Sequence, residues 1–141
     1  MAKRSSPRKT RSKRPVTPGL ASHKIVAFVA TRDPRRAKAF YRDTLGLRLV
    51  SEDSFALAFR VGGTTLRVTT VQEIVTAPYT VLGWHVTNIA ATIKNLQRAG
   101  VTFERYPGMP QDERGVWTAP GGARIAWFKD PDGNTLSLSQ Y

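Results

Sequence analysis

A chain of 141 residues is long enough for one hydrophobic core and hardly for two. It has no cysteine, which excludes disulfides, thiolate metal sites and thiol nucleophiles and leaves the redox compartment unread. The formal net charge of +12 suggests a nucleic-acid partner until it is located: eight of the 22 Lys and Arg fall in the first 24 residues, which contain no acid, so the remainder is only mildly basic.

The segment from Met1 to about Ser22 is rich in Ser, Pro, Arg and Lys, with Val16 and Leu20 its only sizeable apolar residues beyond Met1. It buries too little surface to offset its ordering entropy, and residues 1–22 are expected to form a disordered basic tail. Such a block allows weak, salt-sensitive contact with nucleic acid or an anionic surface, and equally a purely solvated extension. No apolar stretch follows its charges, as a secretory signal would require. No run in the chain approaches the roughly 18 apolar residues of a membrane span, so no membrane partner is expected.

From His23 the pattern becomes regular. Lys24–Thr31 reads as a strand from its β-branched and aromatic content. Asp33 caps a helix with Pro34 at its first position, and Ala37, Phe40, Tyr41 and Leu45 form one apolar stripe that Gly46 ends. Strands follow at 47–52, 55–61 and 64–70, the last two joined by a Gly62–Gly63 turn. The same order then recurs: a strand at 79–87, Asn88 capping a helix with Ile89, Ile93 and Leu96, Gly100 ending it, and strands at 102–105, near 115–118, at 124–129 and at 135–140. The caps lie 55 residues apart and the stop glycines 54 apart, so two βαβββ units, residues 23–78 and 79–141, account for the body. Asp130-Pro131-Asp132-Gly133-Asn134 reads as a tight turn. Tyr106–Gly122, with three prolines and four glycines, is the one extended loop system.

Phe40-Tyr41 followed by Leu45-Gly46-Leu47, together with the closing Asp-Pro-Asp-Gly-Asn turn, resembles the vicinal-oxygen-chelate superfamily of glyoxalases, bleomycin-resistance proteins and ring-cleaving dioxygenases. The resemblance covers about residues 24–141. It implies an α+β fold in which two βαβββ modules form a curved mixed sheet around a cavity, with the helices on the convex side. It also implies a homodimer resident in the cytoplasm. In metal-dependent members, four ligands drawn from His, Glu and sometimes Gln face the cavity. Carried over onto this chain, those positions hold Val26 or an immediate neighbour, Arg67, Val81 and Ser137. That set lacks the donors a divalent ion needs, so neither a metal nor another cofactor is expected.

Strand alternation adds an independent expectation. Leu66 and Val68 should face the core, and Thr65, Arg67 and Thr69 the cavity. Leu136 and Leu138 should be core, and Thr135, Ser137 and Ser139 cavity. Gly83 and His85 share the face of Val81. Arg67 is then the anchor for a carboxylate or phosphate, unless it reaches the rim or pairs with a loop acid. His85 is the candidate catalytic acid or base, or else a histidine satisfied inside the sheet. Trp117 and Trp127 are candidate apolar walls for a ligand, and core packing is an equal or better reading for Trp127. Asp112 and Glu113, the acids of the long loop, read as a solvated tip or a contact to a basic ligand.

Three functional readings follow. The first is a metal-independent binder of a small anionic or aromatic molecule, like the bleomycin-resistance branch, in which two chains share the clefts. The second is a metal-dependent lyase, isomerase or dioxygenase. The third is an accessory protein tethered to nucleic acid by residues 1–22.

Overall fold

The computed structural model describes residues 19–141, so most of the basic segment lies outside the described residues. Within them, the first module runs β1 (Val26–Thr31), α1 (Pro34–Lys38), β2 (Arg48–Glu52), β3 (Ala56–Val61) and β4 (Thr64–Thr70). The second runs β5 (Leu82–His85), α2 (Ile89–Arg98), β6 (Trp117–Thr118), β7 (Arg124–Lys129) and β8 (Thr135–Gln140). Each module builds a four-stranded mixed sheet of the same topology, β1-β4-β3-β2 and β5-β8-β7-β6. The first strand of each lies parallel to the last, and the other pairs are antiparallel. Together the elements make an α+β fold of two βαβββ modules with curved mixed sheets.

Local chemistry accounts for the elements. Asp33 and Asn88 are both extended caps whose side chains accept from the amides of Arg36 and Ala91, satisfying N–H groups the helices leave open. The first helix widens after Lys38 into a π-helical turn, Ala39–Thr44, closed by Leu45 N–H donating to the Phe40 carbonyl. Gly62 and Gly63 both have positive φ, 52° and 81°, the geometry a two-residue hairpin requires.

Several expected strands are shorter than alternation suggests. The run 79–87 keeps a ladder only at Leu82–His85, although Val81 and Val86 each add one hydrogen bond to β8. The run 102–105 is reduced to one bridge, Phe103 to Phe128, and 115–118 to Trp117–Thr118. For 102–105 and 115–118, the neighbouring prolines and the long loop interrupt the pairing that isolated propensity favours.

One core joins the modules: Val29, Leu57, Phe59, Leu66 and Val68 of the first pack with Ile89, Ile93, Phe128, Leu136 and Leu138 of the second. Tyr41 and Ala37 of the first helix are fully buried within it. The turn Asp130–Asn134 is more than a reversal. Tyr41 Oη donates to Asp130 Oδ2 at 2.7 Å, and Asn134 Nδ2 donates both to Asp130 Oδ2 and to the Ala30 carbonyl of β1. Arg32 N–H donates to Asp132. Burial, reinforced by Asp130, pushes the Tyr41 hydroxyl well above its ordinary pKa, so it stays a neutral donor. The end of the second module is thereby bolted to the first strand and first helix of the other.

Candidate functional site

The core residues take one face of each sheet, which leaves the helix-free face open to a ligand. Register places its side chains in rows. On the first sheet, Phe28, Arg67, Ala58 and Ser51 form one row, and Val26, Thr65, Arg60 and Arg48 the next. On the second sheet, His85, Ser139, Ile125 and Trp117 form one row, and Gly83, Ser137 and Trp127 the next. The expected parity is therefore found: Leu66, Val68, Leu136 and Leu138 are buried in the core, and Arg67, Ser137 and His85 are on the opposite faces.

Arg67 is half-buried and, among the described residues, has neither a hydrogen bond nor an ion pair from its side chain. Asp53, in the β2–β3 turn, feels its charge. Its carboxyl is held below the usual range first by the amides of Phe55 and Ala56 and only lastly by Arg67. Phe28, beside Arg67 in register, is 60% exposed, an unusual state for an aromatic in the middle of a strand.

The second sheet carries the aromatic surface. Trp127 alternates with the buried Ala126 and Phe128, so it lies on the helix-free face and not in the core, contrary to the expectation from composition. Its indole donates to Thr80 Oγ1 at 3.1 Å, and Tyr106 and Trp117 pack against it with ring centroids 5.5 and 6.3 Å away. Tyr79, Thr80, Tyr106, Met109, Trp127 and Thr135 border a depression of about 310 Å³. Burial, then Glu104, raises the Tyr106 hydroxyl pKa. Gln111 braces the loop above, accepting from Tyr106 N–H and donating to the carbonyls of Glu104 and Gly115.

Two expectations are corrected in detail. His85 is exposed at the edge of the sheet, where its ring meets Tyr141 edge-on at 5.1 Å, and so it is not a histidine satisfied inside the sheet. Asp112 is exposed, but it is drawn into its own loop and is not a freely solvated tip: its Oδ1 accepts from the amides of Arg114 and Val116, and its Oδ2 lies 3.9 Å from Arg124.

Ser137 is buried, and an added methyl at Gly83 would meet its hydroxyl at 2.8 Å. Gly83→Ala must therefore turn that hydroxyl, and is expected to cost about 1–2 kcal/mol. This should appear as a fall of a few degrees in Tm by differential scanning fluorimetry. An unchanged or higher Tm would mean that the serine is free to move.

Arg67 lies on one sheet and Ser137, His85 and Trp117 on the other, and no described depression is bordered by both sets. Three residues of these faces, Arg48, Arg60 and Phe28, are not singled out from the sequence as ligand contacts. Extending alternation to β1 and β3 finds Phe28 and Arg60, whereas Arg48 also needs the pairing register, because of the bulge in β2. Among the described residues, no three or more His, Asp or Glu side chains converge as a bound divalent ion would require.

The model of the Glyoxalase/Bleomycin resistance protein/Dioxygenase superfamily matches residues 23–138. Lactoylglutathione lyase from Agrobacterium tumefaciens is similar in structure, with a TM-score of 0.66 at 18% identity over 84% of this chain and 93% of that one. A superfamily member from Sphaerobacter thermophilus DSM 20745 gives 0.64 at 23% identity, covering 86% and 99%. An integron cassette protein from the mobile metagenome of V. cholerae gives 0.61 at 22%, covering 85% and 95%. No curated protein matches the sequence. Likeness at these identities speaks to the fold.

Proposed function

Since the chain belongs to the glyoxalase, bleomycin-resistance and dioxygenase superfamily, we propose that it is a metal-independent member that binds a small anionic or aromatic molecule. One observation carries this reading. Where the resemblance calls for four metal ligands, the chain has Val26, Arg67, Val81 and Ser137, and the register neighbours Phe28 and Gly83 are no better. A guanidinium repels a divalent cation, and aliphatic side chains offer it no donor. The residues do not fit a metal.

In place of a metal, Arg67 offers planar donors to a carboxylate, sulfonate or phosphate, and Trp127, Trp117 and Tyr106 offer aromatic surface. Ser137 adds a hydroxyl beside Trp127. His85 serves as a rim contact, and as acid or base only if the bound molecule reacts. Residues 23–141 act as the binding unit and residues 1–22 as a basic extension. Pairing of two copies supports a shared cleft. The outer edges of β1 and β5 have no strand partner among the described residues, and Val26, Phe28 and Val81 are exposed beside them. A cleft formed between copies would set Arg67 of one against Trp127 of the other. A cytoplasmic dimer is the reading that the family resemblance supports; among the described residues no helix is long and apolar enough to cross a membrane.

The test is thermal unfolding of the full chain with naphthalene sulfonates and carboxylates, with and without EDTA. A ligand that binds only the native state raises its stability by about 2.7 kcal/mol at a hundredfold excess over Kd. The expected result is a Tm increase that EDTA leaves unchanged; an increase abolished by EDTA would return the metal-dependent lyase or dioxygenase to first place.

A further inference from the structure

Arg67 has company that the alternation of β4 alone does not reveal. Arg60 of β3 and Arg48 of β2 are directly opposite each other in the antiparallel pair, and Arg60 is opposite Thr65, two residues before Arg67. All three therefore project from the helix-free face of the first sheet, Arg48 and Arg60 exposed and Arg67 half-buried. Directly opposite residues have Cα atoms about 4.5–5.5 Å apart and diagonal ones about 7–8 Å. Three guanidinium groups thus reach one patch of surface. Like charges placed opposite one another disfavour the strand pair unless an anion lies between them.

No anion from the protein fills that role among the described residues. None of the three arginine side chains has an ion pair or hydrogen bond. No strand of either sheet turns an acid to this side: Glu52, the one acidic residue in a strand, is opposite the core residue Leu57 and pairs with Lys38 of α1. Asp53 and Glu104 lie outside the strands; Asp53, whose Oδ1 accepts two backbone amides, feels the charge of Arg67 but forms no ion pair with any of the three arginines. The helix-free face of the second sheet contributes only neutral or basic side chains, from Val81, Gly83 and His85 through Ser137 and Ser139 to Trp127. A cleft closed by either sheet would stay strongly positive.

We infer that this face takes a ligand carrying at least two anionic groups on a flat apolar body, with Arg48 and Arg60 holding the second charge while Arg67 holds the first. The inference rests on the reading of the Arg67 face as the binding site. Phe28, exposed beside Arg67, supplies the apolar contact.

The test compares naphthalene-2-sulfonate with naphthalene-1,5-disulfonate, titrated by calorimetry into the full-length wild-type chain, Arg48→Gln/Arg60→Gln and, as a charge-matched control, Arg35→Gln/Arg36→Gln on the exposed side of α1. The disulfonate should bind wild type about tenfold or more tightly than the monosulfonate, a difference of about 1.4 kcal/mol or more. The Arg48/Arg60 variant should lose that advantage while keeping its monosulfonate affinity, and the control should keep both. Equal affinities for the two probes in wild type, or equal losses in the two variants, overturn the inference. In that case Arg67→Ala still tests the broader reading, because monosulfonate binding that depends on Arg67 leaves it standing. Failure of both probes to bind overturns both. Binding of a single-stranded oligonucleotide that depends on Arg48 and Arg60, without any response to the disulfonate, also overturns a small-molecule ligand.

Discussion

Arg67→Ala is expected to weaken binding of a naphthalene sulfonate by about 30- to 1000-fold, or about 2–4 kcal/mol, the range for removing one partner of a desolvated charged contact. The guanidinium is half-buried on the helix-free face and spends none of its donors on the described protein, so the whole loss falls on the ligand. For the same reason the variant should unfold within about 0.5 kcal/mol of wild type, since no native contact of the arginine head is removed. Arg67→Lys keeps the charge but not the planar fork, and should recover only part of the affinity. Titration by tryptophan fluorescence reads the effect through Trp117 and Trp127, which pack together on the second sheet. Equal affinity in wild type and Arg67→Ala would remove the arginine from the site.

Asp130→Ala should have the largest effect on stability, about 3–5 kcal/mol out of the roughly 5–15 kcal/mol available to such a domain. The Asp130 carboxylate accepts from Tyr41 Oη, from Asn134 Nδ2 and from the backbone amides of Asp132 and Asn134. Removing it strands the Tyr41 hydroxyl, which is fully buried, and one of the two hydrogen bonds of the Asn134 amide. Buried donors left without an acceptor cost about 1–3 kcal/mol each. Tyr41→Phe removes one donor and leaves the carboxylate its other three partners, so it should cost less, about 1–2 kcal/mol. Urea unfolding followed by tryptophan fluorescence separates the two variants. If Asp130→Ala matched Tyr41→Phe, the turn would be a local reversal and not the joint between modules.

Much of this architecture is legible in the residues. The paired caps Asp33 and Asn88 accept the amides expected of them, and the Gly62–Gly63 turn and β4 lie where composition and alternation put them. The strand at 79–87 is less legible, because length depends on how many neighbours a partner strand offers and not on propensity. The π-helical widening at Ala39–Thr44 has no local signature. Asp130 was readable as a turn residue, but its bond to Tyr41, 89 positions away, is a tertiary contact that no local pattern encodes.

The site divides the same way. Alternation alone puts Arg67 and Ser137 on their faces. It does not settle Trp127, because indole content fits a core as well as a wall, and only the burial of Ala126 and Phe128 on either side decides its direction. Arg48 needed the pairing register, since a β-bulge between Leu49 and Ser51 shifts β2 against β3 and makes alternation along that strand unreliable.

Metal analysis of the full chain, purified without an affinity tag and without chelators, decides whether binding on these faces is metal-independent. Nickel, zinc, manganese and iron are each expected far below one equivalent per chain, with sulfonate binding at full strength in the same sample. About one tightly held equivalent of any of these ions, lost together with ligand binding on chelation, would contradict metal-independent binding.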